Sequence, residues 1–331
     1  MTAVPVLCPV CGARPSGKLP YLCVEFGFLD GAENIFSDSQ ILVCGSCTFS
    51  FVHPPIADEV LSRFYRDVYR GDKRSPFHGA GLCVRRNPSP RDVAQVALGT
   101  AFAERVERFL DVGAGASNSF AAVRGSYPAC ELYSIEEDEY ARRLLEIRGV
   151  QVLTPLGGHI QLPEEFEGQF DLILMSHVLE HFGGQDVTET LTQVAKLLSP
   201  GGVLVVEVPN ADLTKFADAR TDDSPHLSFF SKKALALTVE KAGMRVVFNR
   251  EVGALRREGD KSDRGRIFMA WWQGWQRLIK RLAVKGIIPK PLYCGLLALR
   301  GLFRPAEPMW RDPNFQYDEG RECIRLVAAI R

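Results

Sequence analysis

Arg108-Phe109-Leu110-Asp111-Val112-Gly113-Ala114-Gly115-Ala116-Ser117-Asn118-Ser119-Phe120 is the stretch on which the fold turns. Phe109, Leu110 and Val112 predict a strand covered on both faces. Gly113 and Gly115 predict a tight turn whose backbone can approach a ligand closely. Ser117, Asn118 and Ser119 are N-cap residue types for a following helix. The pattern is not the dinucleotide fingerprint, because position 118 is Asn where a third glycine is needed. It is not a P-loop either, since no Gly-Lys-Ser/Thr follows.

Three later stretches extend the reading. Glu131-Leu132-Tyr133-Ser134-Ile135-Glu136 is a second strand ending in an acid, where a carboxylate can accept both hydroxyls of a ribose. Phe170-Asp171-Leu172-Ile173-Leu174-Met175-Ser176-His177-Val178-Leu179-Glu180-His181 predicts a buried strand running into a helix. Leu197 to Asn210 predicts a helix end, a Pro200-Gly201-Gly202 turn and another buried strand. Together, D-x-G-x-G-x-S at 111–117 and the elements after it resemble the S-adenosylmethionine-dependent methyltransferases with a seven-stranded Rossmann-like sheet. Ser117 stands where that family usually has a third Gly. The resemblance covers roughly residues 101–250 plus the C-terminus and implies an α/β fold with a mostly parallel sheet. It implies a cofactor site at Asp111, Gly113, Gly115, Glu136, Ser176 and His177. Gly158-His159-Ile160 is expected to border the adenine.

The chain has 331 residues, 46% hydrophobic and 24% charged, enough for one large core with smaller modules. Lys+Arg and Asp+Glu number 40 each, so no global field draws nucleic acid. Met1 to Pro5 lacks a basic region and an apolar run, so no signal peptide is expected, and no apolar run reaches membrane-spanning length. Nine cysteines, four in C-x-x-C pairs, fit a reducing, cytoplasmic setting better than disulfides.

Cys8-Pro9-Val10-Cys11 and Cys44-Gly45-Ser46-Cys47 are separated by 32 residues. Two such knuckles can present four thiolates tetrahedrally to a structural Zn2+ as a zinc ribbon; free buried cysteines or a redox pair are the other readings. Cys23, between the pairs, reads as a packing residue. A helix follows from Asp58, carrying Tyr65 and Tyr69 one turn apart. Two knuckles, a tyrosine helix and a methyltransferase core resemble the methyltransferases of deoxysugar and polysaccharide pathways, in which the tyrosine segment faces the acceptor. That resemblance implies a sugar, nucleotide-sugar or glycoconjugate acceptor, O- or C-methylated, and glycosylated or lipid-linked partners. The bland alternative is an amphipathic helix packing its aromatics.

The expected units are a zinc module at 1–55, a connector and lid at 56–100, a core at 101–250, a helical basic insertion at 251–320 and the last strand at 321–331. Residues 265–311 hold nine Lys/Arg, one acid and all four Trp. This insertion reads as a helix packed on its own core or on a second subunit, or as a helix lying in a membrane surface. His177, His181 and His226 are candidate general bases, with Tyr65 and Tyr69 behind them. In sugar C-methyltransferases a Glu-His pair occupies the place of Pro225-His226, so the missing Glu weighs against C-methylation. His226 can also simply order its loop. Rival functions are an RNA methyltransferase with a zinc ribbon and a non-catalytic cofactor-binding or membrane scaffold protein.

Overall fold

The computed structural model describes residues 5–21, 35–36, 38–64, 88–115, 118–155, 160–214, 226–252 and 323–331. Tyr65, Tyr69, Cys23, Ser117, His159 and the 265–311 segment lie outside the described residues. Eleven strands among the described residues form two sheets. β1 (Gly17–Pro20), β2 (Gln40–Val43), β3 (Ser50–His53) and β9 (Ser228–Phe229) make a four-stranded antiparallel sheet in that order. β4 (Arg108–Val112), β5 (Glu131–Ile135), β6 (Gln151–Leu153), β7 (Phe170–Ser176), β8 (Leu198–Pro209), β10 (Met244–Val252) and β11 (Cys323–Ile330) make the large one. Its order is β10-β11-β8-β7-β4-β5-β6, and only β11 runs against its neighbours. The seven-stranded, mostly parallel α/β architecture expected from the sequence is present.

Alternation along the central strands explains why both faces are covered. Phe109, Leu172, Leu174, Val203 and Val205 pack on one face with α2 (Pro90–Thr100), α3 (Ser119–Ser126) and α4 (Glu139–Ile147) through Val96, Phe120 and Leu145. Leu110, Ile173, Met175, Leu204 and Val206 pack on the other with α5 (Val187–Leu197) and α6 (Lys232–Lys241) through Leu191 and Leu235. A strand buried on both sides needs apolar residues at consecutive positions, as these have.

Two local expectations are corrected. Pro200-Gly201-Gly202 is not a turn before the strand but a bulge inside it. Phe170 pairs with Leu198, yet Leu172 pairs with Val203. Gly201 takes φ +78°, and a Cβ on Gly202 would sit 2.7 Å from the carbonyl oxygen of Phe170. Nor does β7 run into a helix. His177 has φ +55°, Leu179–His181 is a single 3-10 turn, and α5 starts only at Val187.

The N-terminal segment does not pack alone. Cys8, Val10, Cys44, Cys47, Phe49 and Phe51 belong to the same apolar cluster as α5 and α6. Lys233 donates to the Ser46 carbonyl (2.7 Å) and Lys241 to that of Pro9 (2.6 Å), so α6 is tied to both knuckles.

Asp171 shows how one buried charge braces this core. Its oxygens accept from Ser199 Oγ (2.6 Å), the N–H groups of Glu107 (2.8 Å) and Arg108 (3.1 Å), and Arg105 Nε (3.0 Å). Burial alone would raise its pKa, but these donors overcome it and hold the carboxyl below the ordinary range. A depressed native pKa stabilises the fold above the unfolded value, and that contribution fades as pH falls through the native one. Asp171→Asn should therefore cost about 1–3 kcal/mol in urea unfolding at pH 7. The gap to the wild type should close below about pH 4. An equal gap at pH 7 and pH 3 would show that charge is not the cause.

Candidate active site

β4 delivers its chain into a left-handed turn. Gly113 (φ +66°) donates to the Ile135 carbonyl at 2.7 Å, which closes the turn against β5. Gly115 (φ +51°) donates its N–H to Glu136 Oε2 at 2.6 Å, and Asp138 N–H donates to Glu136 Oε1 at 2.8 Å. Two backbone donors thus fix the carboxylate and leave its other lone pairs as acceptors. Gly113 is required for packing as much as for ligand approach, since a Cβ there would lie 2.6 Å from Val178 Cγ2. Asp111 is buried and accepts from Ser119 Oγ (2.5 Å), bracing the turn from below. Asn118 occupies the N-cap position of α3 but makes no side-chain hydrogen bond to the helix backbone; its Oδ1 accepts from Arg148 (3.4 Å).

A cavity of about 390 Å³ opens over this turn at the carboxyl edge of the sheet, where open α/β folds bind ligands. Gly113, Glu136, Ile160, His177 and His181 are among the residues that line it. Leu61 and Ser62 of α1 (Asp58–Phe64) close one side, so the helix leading to Tyr65 and Tyr69 borders the cavity. Ser176 is placed elsewhere: its hydroxyl accepts from Arg91 (2.8 Å) and Gln95 (2.9 Å).

The histidine end is built around two buried acids that the sequence reading left without a role. His177 Nδ1 lies 3.3 Å from Glu180 Oε1, and its Nε2 lies 3.6 Å from Glu207 Oε1. His226 Nε2 is 3.9 Å from Glu180 Oε1, and its ring meets that of His181 edge-on at 5.0 Å. His226 therefore stands behind His181 as seen from the cavity. Glu207 is fully buried between Arg325 Nε (2.7 Å) and Arg91 Nε (2.8 Å). A signal for that pair was visible: Glu207 and Arg325 are charges inside apolar strands, and they face each other in register.

The four paired cysteines converge. Every Sγ lies within 4.8 Å of the others, with Cys8–Cys47 and Cys11–Cys44 at 3.5 Å. That is far longer than a disulfide and close to the edge of about 3.8 Å expected for a thiolate tetrahedron around zinc. The knuckles repeat one geometry. Gly12 donates to the Cys8 carbonyl and Thr48 to that of Cys44, both at 2.8 Å, with φ +74° and +63°. Burial pushes the Cys8 thiol up to about 11 and Cys47 higher still. Cys44 is also raised by burial, but the Cys47 N–H, the Cys11 thiol and the Ser46 N–H bring it down to about 7.

Residues 86–248 match the model of a methyltransferase domain family. A ubiquinone biosynthesis O-methyltransferase of Caulobacter sp. (strain K31) is 28% identical over 181 residues, 54% of this chain and 57% of that protein. The chain thus spans just over half the length of this curated relative. A methyltransferase of Archaeoglobus fulgidus has 14% identity and a TM-score of 0.42, covering 71% of this chain and 91% of that one. A Burkholderia thailandensis 1,6-didemethyltoxoflavin-N1-methyltransferase has 18% identity and a TM-score of 0.42, covering 65% and 88%. The matched span, the strand order and the glycine turn beside Glu136 make residues 86–248 similar to that methyltransferase domain family.

Proposed function

We propose that this protein transfers the methyl group of S-adenosylmethionine to a small-molecule acceptor, a sugar, nucleotide-sugar or glycoconjugate. One observation carries the reading: one cavity is lined by both a backbone-held carboxylate and imidazoles. Glu136 suits the ribose hydroxyls, and the glycine turn leaves room for the methionine portion. The sulfonium is already a good leaving group, so the protein supplies alignment, exclusion of water and a base. Attack on the methyl carbon breaks its bond to sulfur, and the acceptor's proton passes to an imidazole. The name of the Caulobacter relative favours oxygen as the methylated atom. A sugar acceptor is supported by the two-knuckle module preceding a helix that borders the cavity. No helix among the described residues is long and apolar enough to cross a membrane.

Cofactor binding is tested by calorimetry. Glu136→Ala should weaken S-adenosylmethionine about tenfold or more, from lost hydrogen bonds of about 1.5–3 kcal/mol each to a charged acceptor. Gly113→Val should weaken it too, through the Val178 collision and the positive φ. Unchanged affinity in both would place the cofactor elsewhere.

For the base, His226→Ala should lower turnover roughly 10²-fold while leaving cofactor affinity intact. His177→Ala should disturb both, because it lines the cavity. Full turnover of His226→Ala with the true acceptor would move the role to His181, Tyr65 or Tyr69.

Cys8, Cys11, Cys44 and Cys47 are proposed to hold one structural Zn2+, whose charge would offset that of four thiolates brought together. Protein purified without added metal should contain one zinc per chain by elemental analysis. Zinc should be lost progressively as pH falls, because protons then compete for sulfur. Well under one equivalent at neutral pH would refute the assignment.

A further inference from the structure

Glu180 is the least explained group near the cavity. Its side chain is only 2% exposed, and neither carboxylate oxygen has a hydrogen-bond partner among the described residues. A buried carboxylate without donors is costly unless charges of opposite sign stand close by. Here imidazoles from three separate segments do. His177 comes from the end of β7, His181 from the 3-10 turn and His226 from the segment before β9. Glu180, His181 and His226 each offer a ligand-type atom within 4.8 Å of the others.

We propose that Glu180 is a positioning residue for methyl transfer, the shared anion that orients His177, His181 and His226 and stabilises the imidazolium formed when this cluster takes the acceptor's proton. The inference rests on the methyl-transfer reading of the same cavity. His181 lines the cavity and its ring meets that of His226 edge-on, so a proton taken up by either imidazole stays beside the carboxylate. The methyl–sulfur bond breaks with its electron pair left on sulfur. The acceptor–methyl bond forms as the acceptor's proton moves to nitrogen. The chain then carries one more positive charge, next to the one buried anion of the 3-10 turn.

Burial raises the Glu180 pKa, and the imidazoles of His181 and His226, followed by Arg91 of α2, oppose that rise and favour the carboxylate. Cys323 of β11 also faces the cluster, its Sγ 3.7 Å from His177 Nε2. Glu207 of β8 lies on the far side of His177, already held between Arg91 and Arg325. The backbone of the same turn fixes the geometry, since Leu227 donates its N–H to the Glu180 carbonyl at 2.8 Å. Glu180 stands far from Pro225 in sequence, yet it places a carboxylate beside His226.

The test is histidine titration by NMR on the full-length labelled chain, which needs no acceptor. The chain has six histidines, and single His→Gln variants assign the signals. In the wild type, at least one of His177, His181 and His226 should titrate above the ordinary value of about 6.5. Glu180→Gln should lower it by about one unit, as loss of a close opposite charge does. Turnover of Glu180→Gln should fall tenfold or more, with its rising pH limb moved to lower pH and cofactor affinity unchanged. Glu180→Asp keeps the charge and should fall between the two, which keeps the test usable if the amide variant does not fold. Identical histidine titrations in the wild type and either folded variant would overturn the proposal. Shifted titrations in a protein that methylates nothing would instead overturn the methyl-transfer reading and leave the electrostatic coupling standing.

Discussion

The segment Leu227–Phe230 is pinned from three directions, and the arrangement of the site depends on that seam. On one side Phe51 pairs with Ser228, and Val52 donates to the Leu227 carbonyl at 2.9 Å. On another, Leu227 donates to the Glu180 carbonyl, and Ser228 Oγ to that of Phe182 at 2.7 Å. On the third, Ala211 donates to the Phe230 carbonyl at 2.8 Å, just past the end of β8. Tyr21 adds a hydroxyl bond to the carbonyl of His226 itself, 3.0 Å long and 205 residues away in sequence. A short segment has little conformational preference of its own, so these bonds must outweigh the entropy of ordering it. They make the position of His226 a joint property of the N-terminal sheet and the methyltransferase core.

Buried charge at the sheet edge follows a related logic. Glu207 meets Arg325 and Arg91, and Asp171 meets Arg105, so in each case the carboxylate is matched by guanidinium or backbone donors. Glu180 is the exception, surrounded by groups that are charged only when protonated. A fully matched pair favours one charge state and resists change. A carboxylate facing imidazoles can exchange charge with them near neutral pH, which is what proton transfer requires. The matched pairs fix the strand ends, and the proposed role of Glu180 rests on its being matched only by imidazoles.

What could be read from the sequence was what burial writes into residue type. β4, β5, β7 and β11 are rich in apolar and β-branched residues, and the sequence places them within a residue or two. The glycine turn and the acid after β5 carry their constraint in single residues, Gly113 and Glu136. The cysteine spacing likewise foretold that four sulfurs would meet. Features decided by partners far along the chain were not legible. β9 is two residues long and exists because β3 lies beside it. The bulge at Gly201 and the 3-10 turn at Leu179–His181 are backbone adjustments to packing, which no periodicity announces. Glu180 reads as part of an ordinary helix until His226 is brought beside it from 46 positions away, the same separation that divides Ser228 from Phe182.

The thiolate cluster is joined to the histidines by a short physical route. A small four-stranded sheet has too little core to be stable alone, and a bound metal is a common remedy. Cys44 and Cys47 lie just before β3, whose Phe51 packs so closely on Gly184 that a Cβ there would stand 2.5 Å away. Thr48, held in an unfavourable left-handed conformation, meets Ser231 Oγ at 2.5 Å, the N-cap of α6. Loosening the second knuckle would thus release Thr48 and β3 together. β3 supplies one of the three sides on which the His226 segment is held. The cysteines take no part in proton transfer, yet the separation between His226 and Glu180 is set in part by whether those four sulfurs stay together.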